Sequence, residues 1–151
     1  MYFDIFHSPI GKLTLVCTNQ GLTNIYFGEV EKNFTKKSDH PILLETKKQL
    51  NLYFEKKLME FDIPLVLQGT PFQKLVWNSL RKIPYGQKLT YGKVAKLIGN
   101  PKGVRAVGGA NNKNPIPIII PCHRVIGKDG SLVGYAGGLE IKKFLLTLEN
   151  F

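Results

Sequence analysis

Residues 90–111 read TYGKVAKLIGNPKGVRAVGGAN, and the punctuation of that stretch decides the fold of the second half of the chain. Thr90 can cap a helix, and Tyr91, Val94, Ala95 and Ile98 follow at helical spacing. Gly99-Asn100-Pro101 breaks the run, and Asn100 stands where it can cap a second helix from Lys102 to Asn111. Two short helices joined by a tight, glycine-containing turn are expected to form a helix-turn-helix. The second of them contains Gly108 and Gly109, each costing about 1 kcal/mol relative to alanine inside a helix. Two explanations stay open. Either the glycines allow close packing on a neighbouring helix, or they let the backbone lie on nucleic acid while Arg105 projects as a cation or wedge.

Working outward, Thr70, Pro71 and Gln73 form a capping box with proline at the first helical position. Phe72, Leu75, Val76, Leu80 and Ile83 then predict a helix that Pro84-Tyr85-Gly86 ends. Ile141, Phe144, Leu145 and Leu148 mark a last amphipathic helix. Before residue 70 the pattern changes. Runs at 2–7, 12–18 and 22–28 are rich in aromatic and β-branched residues and are separated by turn residues, which predicts an antiparallel meander. A helix from Pro41 to Lys57 follows, with Leu43, Leu50, Tyr53 and Phe54 on one side. The expected architecture is α/β of the α+β kind. A small N-terminal lobe of antiparallel sheet plus helix spans 1–69, and a mainly helical lobe containing the helix-turn-helix spans 70–151.

The charge follows the same division. The net charge of +10 is not spread evenly: residues 70–128 hold 11 Lys or Arg and no acid, whereas residues 1–69 hold 8 of each sign. A solvated face normally mixes signs, so a one-sign block of this length points to a polyanion such as nucleic acid. A lysine-rich, heat-adapted surface would carry Glu beside its Lys, and here Glu is absent. With 43% hydrophobic residues in 151, a mainly disordered chain is excluded. No apolar run reaches the roughly 20 residues of a membrane span, and no signal peptide is legible, so a cytoplasmic protein without membrane contact is expected.

Chemistry concentrates in Asn114-Pro115-Ile116-Pro117-Ile118-Ile119-Ile120-Pro121-Cys122-His123-Arg124-Val125. An apolar run ends at a proline, after which a thiol adjoins an imidazole and a guanidinium. Thiolate is the nucleophile, and positive charge nearby lowers a cysteine pKa from about 8.5. Asn114 can fix the preceding turn through its side chain. Adjacent side chains diverge, so His123 is expected to reach Cys122 through a water or a bent backbone. On the residues alone, a buried inert cysteine beside a surface histidine is equally open. No second Cys or His stands at ligand spacing, which argues against zinc. Cys17 reads as strand packing, although a Cys17–Cys122 disulfide stays open. His7 and His40 read as structural or surface residues.

Taken together, the segments from Ile120 to Val125, Asn114-Pro115, Arg105 to Ala110, Phe72-Gln73 with Val76-Trp77, Pro84-Tyr85-Gly86, Thr90-Tyr91-Gly92, Gly134-Tyr135 and Gly137-Gly138-Leu139 resemble the O6-alkylguanine-DNA alkyltransferase family. The resemblance is dense over 70–149 and only architectural before that. It implies a DNA repair protein that flips an alkylated guanine, chiefly O6-methylguanine, out of the duplex. The alkyl group then passes irreversibly to Cys122 in a single turnover without a cofactor. The resemblance makes His123 the proton relay and Glu149 its orienting partner. Asn114 braces the site, and Tyr91 assists flipping and donates a hydrogen bond or a proton to the leaving guanine. Thr90, Tyr91, Asn100, Arg105, Gly108, Gly109 and Lys128 are the implied contacts to double-stranded DNA in the minor groove, Arg105 filling the gap left by the flipped base. Val125, Tyr135, Ala136 and Gly137 are the implied pocket. Ala136 stands where some relatives carry a hydroxyl residue, and Asn111-Asn112-Lys113 where some are more apolar, a change expected to bear on DNA affinity. No metal site is implied, and the protein is expected to act as a monomer. Two other classes stay open on the residues alone: a DNA-binding protein without catalysis, and a cysteine hydrolase, which would need an oxyanion hole.

Overall fold

The computed structural model describes residues 1–150 and divides into two units, residues 1–67 and 68–151. In the first, β1 (Tyr2–Ser8) and β2 (Gly11–Cys17) form a hairpin in full register, from Tyr2 opposite Cys17 to Ser8 opposite Gly11. Gly11 takes φ +102, a left-handed conformation that glycine adopts without penalty in a tight turn. β3 (Leu22–Phe27) continues the antiparallel meander with a bulge at Val16/Cys17. The sheet is not purely antiparallel, however. A fourth strand, β4 (Thr35–Lys36), adds to β1 in parallel, giving the order β3-β2-β1-β4. Two polar residues carry no strand pattern, which is why β4 is invisible in the sequence.

Helix α1 (Pro41–Phe54) packs on β1 and β2, burying Leu43, Leu50 and Tyr53 beside Phe6, Leu13, Leu15 and Cys17. It ends three residues short of the expected Lys57. Its cap is His40, whose Nδ1 accepts from the Ile42 amide at 3.1 Å while Nε2 meets Asn19 at 3.1 Å. His40 is therefore a structural residue with partners, as a sequence reading alone could not show.

The second unit opens on α2 (Pro71–Leu80), where the capping box forms as written: Thr70 Oγ1 accepts from the Gln73 amide and Gln73 Oε1 from the Thr70 amide. Val76, Trp77 and Leu80 are buried, but Leu75 is half exposed and leaves the expected apolar face. Burying such side chains contributes about 1.5–3 kcal/mol each. After β5 (Leu89–Thr90), α3 (Tyr91–Leu97) and α4 (Val104–Asn112) form the two-helix turn. Thr90 caps α3. Asn100 does not cap α4: the cap is Gly103, which makes no side-chain cap bond. Asn100 instead accepts from the Gly103 amide through its carbonyl at 2.9 Å, and its side chain occupies the space a Cβ on Gly103 would need. The helix therefore starts two residues later than expected. A one-turn 3₁₀ segment, Cys122–Arg124, leads into β6 (Val125–Ile126), and α5 (Leu139–Glu149) closes the unit. Among the described residues, no helix is long and apolar enough to cross a membrane.

Candidate active site

Three connections place Cys122. β6 pairs in parallel with β5, setting Val125 beside Leu89 and Ile126 beside Thr90, so the cysteine turn and the start of α3 lie side by side. From the end of α4, Asn111 Nδ2 donates to the Cys122 carbonyl at 3.4 Å. α4 itself is anchored by Trp77 Nε1, which donates to the Ala110 carbonyl at 2.8 Å. Asn111 is therefore an interior residue, not part of a DNA-facing surface, while its neighbours Asn112 and Lys113 are exposed.

The approach to the cysteine is pinned by Asn114. Its Nδ2 donates to the Ile120 carbonyl at 2.8 Å and its Oδ1 accepts from the Ile116 amide at 3.0 Å, closing the loop into a knot. Ile118 inside that loop sits at φ 75, a region β-branched residues rarely adopt, and its side chain is buried. Such strain persists only where the surroundings over-determine the backbone, and it clusters beside functional groups.

Cys122 is buried, and both cysteines are free thiols. Burial pushes the Cys122 thiol up to about 11, against the opposing pull of a hydrogen bond from Asn114 and the charge of Lys142. The guanidinium that the sequence sets two positions after the thiol has its hydrogen bonds elsewhere. Arg124 faces away from the thiol. Its Nε and Nη2 clamp Glu149 at 2.7 and 3.0 Å, its Nη1 donates to the Ile83 carbonyl at 2.7 Å, and its guanidinium lies 5.7 Å from the Tyr85 ring centre.

His123 and Glu149 meet from opposite ends of the unit, with Nε2 2.6 Å from Oε2 and both side chains buried. Burial raises the Glu149 carboxyl, but the bonds and charges of His123 and Arg124 outweigh it and hold the group at about 2. An ionised carboxylate accepts only, so His123 Nε2 carries the proton. Burial holds the imidazole below its ordinary value, against the pull of Glu149, so the ring is neutral. Its Nδ1 is then an acceptor, buried and without a hydrogen-bond partner among the described residues. A neutral, oriented histidine with a free lone pair is a proton acceptor.

Tyr91 donates from its hydroxyl to the Val133 carbonyl at 3.0 Å, tying α3 to the loop 127–138. Burial and the Cys122 charge push both the Tyr91 and the Tyr135 phenols up, so both stay protonated. Val125 is buried, Tyr135 and Gly137 are half-buried, and Ala136 and Lys128 are exposed. Thr90 is half-buried, and Asn100 and Arg105 are exposed.

Gly108 and Gly109 resolve the question of the glycines in α4. A Cβ at either would meet nothing within 4 Å, whereas Val107 and Ala110 on the other side of the helix are buried. Packing does not require the glycines, so the close-packing explanation falls. Of the 11 cations between 70 and 128, Arg124 alone is buried and the other ten are exposed.

Sequence reasoning missed Lys142. The expected stripe of α5 was Ile141, Phe144, Leu145 and Leu148, but Phe144 is 39% exposed and the buried face is Lys142, Leu145 and Glu149. These three also stand at helical spacing, i, i+3 and i+7. The charges at two of them hid the face.

Residues 71–151 match the 6-O-methylguanine DNA methyltransferase, DNA binding domain, and residues 1–67 match the ribonuclease-like domain of the same name. The methylated-DNA--protein-cysteine methyltransferase of Methanosarcina acetivorans is 51% identical, with 99% of each chain covered. The constitutive enzyme of that name from Bacillus subtilis is 42% identical over 99% of this chain and 95% of its own. Mycobacterium tuberculosis OGT, solved in complex with DNA, superposes with a TM-score of 0.93 at 46% identity, covering 99% of this chain and 93% of its own.

Proposed function

The chain belongs to the 6-O-methylguanine DNA methyltransferase family, and from that premise we propose that Cys122 is the acceptor to which it transfers an alkyl group from O6 of guanine. Its activity is DNA repair by alkyl transfer to a cysteine of its own chain, and its partner is DNA. The observation that carries the assignment of Cys122 is the buried chain of groups around it: a thiol on a pinned turn, then a neutral His123 oriented by an ionised Glu149.

A stacked guanine hides its O6 substituent, so the damaged nucleotide leaves the duplex, at a cost of a few kcal/mol. The outer face of α4, where Arg105, Ala106 and Gly109 are exposed and Gly108 is half-buried, meets the minor groove. Small residues bring its backbone close, and Arg105 enters the gap. Thr90, Asn100 and Lys128 add contacts along the same unit. Once the base is seated against Val125, Tyr135, Ala136 and Gly137, the Cys122 proton passes through a bridging water to His123 Nδ1. The thiolate attacks the alkyl carbon, the carbon–oxygen bond breaks, and the electron pair leaves with guanine O6. Tyr91, released from Val133, supplies a proton to the guanine and is reprotonated through water by the proton that His123 took from the thiol, so that one proton passes in net from sulfur to guanine. Because the resting thiol is held up by burial, its ionisation belongs to the lesion-bound state and not to the free protein. Sulfur ends as a thioether, which water does not cleave, so each molecule acts once and no cofactor is needed.

The second unit thus carries both the DNA contact and the acceptor, and the first serves as a structural lobe. All named groups come from one copy of the second unit, which supports a monomer as the active form. A duplex bearing O6-methylguanine tests this. The lesion disappears in a burst equal to the amount of protein and then stops, and Cys122→Ser gives no burst. Continued turnover, or a burst in the serine variant, contradicts the proposal.

A further inference from the structure

The transfer step gives the buried His123 Nδ1 a partner, the bridging water. It gives none to Asn111 Oδ1, which is also buried and without a hydrogen-bond partner among the described residues. Asn111 lies on the inner side of α4 with Val107 and Ala110, and only 2% of it is exposed. Its Nδ2 donates to the Cys122 carbonyl at 3.4 Å, which joins the last turn of the helix to the acceptor residue itself. That bond also fixes the amide, because only its NH2 group can donate to a carbonyl, and the atom left over is the oxygen. The neighbouring Tyr91 hydroxyl has a single proton, and it goes to the Val133 carbonyl at 3.0 Å. An acceptor buried without a donor costs stability, and an apolar side chain of the same size would avoid that cost. The missing donor is one that the substrate can bring.

The chemistry of the lesion identifies it. Alkylation at O6 removes the proton from guanine N1, so N1, N3, N7 and O6 are all acceptors. The exocyclic 2-amino group is then the only donor of the base. Tyr91 offers a proton to the acceptor side of the ring, and the amine needs an acceptor of its own. We propose that Asn111 is a specificity-determining residue: its Oδ1 accepts a hydrogen bond from the 2-amino group of the flipped base while its Nδ2 stays on the Cys122 carbonyl. One amide thereby ties the reading of the purine to the position of the residue that receives the alkyl group. A base without the amine, such as an O4-alkylated thymine, leaves the oxygen buried and unpaired, and the site discriminates against it. Arg105 on the outer side of α4 and Asn111 on the inner side then serve the same nucleotide, one at the gap it leaves and one in the pocket it enters.

This inference rests on alkyl transfer to Cys122, and its test separates the two. Methyl transfer is timed in single turnover from two duplexes that differ in one group: O6-methylguanine, and O6-methylhypoxanthine, which lacks only the 2-amino group. The unaltered chain is compared with Asn111→Leu and Asn111→Ala, and thermal unfolding shows that the variants compared are folded. The readout is the ratio of the two rates, in which the different pairing strengths of the two lesions cancel from one chain to the next. That ratio is expected to fall about tenfold in either variant, the factor that one hydrogen bond to a neutral partner supplies. Loss of the bond to the Cys122 carbonyl alone would slow both lesions equally and leave the ratio where it was. A ratio unchanged in a folded variant therefore overturns the inference and leaves Asn111 as a brace for the cysteine turn. Absence of methyl uptake by the unaltered chain from either duplex would instead remove the function on which it rests.

Discussion

Glu149 shows how one residue can hold a site together and be lost to acid. Its carboxylate takes His123 on one oxygen and Arg124 on both. With a pKa held at about 2 against an ordinary 4.5, the group stabilises the native state fully above the ordinary value. That contribution fades as pH falls through the native one, and amounts to about 3 kcal/mol. Urea unfolding at a series of pH values should show this loss between the two pKa values, and Glu149→Gln should flatten the curve there. An unchanged slope in the variant would show that other carboxylates govern acid stability. Cys122 gives the converse lesson. Its sequence neighbours are basic, yet adjacency in sequence did not give the thiol a cationic partner, since the turn Cys122–Arg124 sends the guanidinium to Glu149.

At the scale of elements, α4 is built against its own stability. Gly108 and Gly109 sit in a helix at positions where an added Cβ would meet nothing within 4 Å. Alanine at either position should raise unfolding stability by about 0.5–1 kcal/mol while weakening binding to duplex DNA, because the added methyl stands between backbone and groove. Chemical unfolding and a duplex titration check both halves, and a variant that gains stability with no loss of affinity would detach the glycines from DNA contact. Arg105→Ala should lose duplex affinity without any gain in stability. The start of α2 was legible because a capping box is a local device: Thr70, Pro71 and Gln73 need only one another. The start of α4 was not. Asn100 has the chemistry of a cap, but its side chain fills the space beside Gly103, and the helix begins after that glycine. The buried face of α5 escaped for a related reason, since apolar spacing cannot reveal a stripe whose outer members are Lys142 and Glu149.

Over the whole molecule, the charge arrangement read from composition survives folding almost intact. Ten cations of the acid-free block are exposed on the second unit. If about half engage phosphates, the logarithm of DNA affinity should fall against the logarithm of salt concentration with a slope of about −4 to −5. A flat dependence measured by titration at several salt concentrations would deny the block a part in binding. The two-lobed plan and the helix-turn-helix were readable from punctuation and periodicity. The parallel strand Thr35–Lys36 was not, because two polar residues gain strand geometry only from the β1 edge they pair with. The central claim remains the fate of one sulfur atom. Incubation with duplex bearing O6-methylguanine, followed by intact-protein mass and peptide mapping, should find one added methyl per chain, on Cys122. A folded protein that binds the duplex yet leaves Cys122 unmodified, or carries the methyl on another residue, would contradict the account.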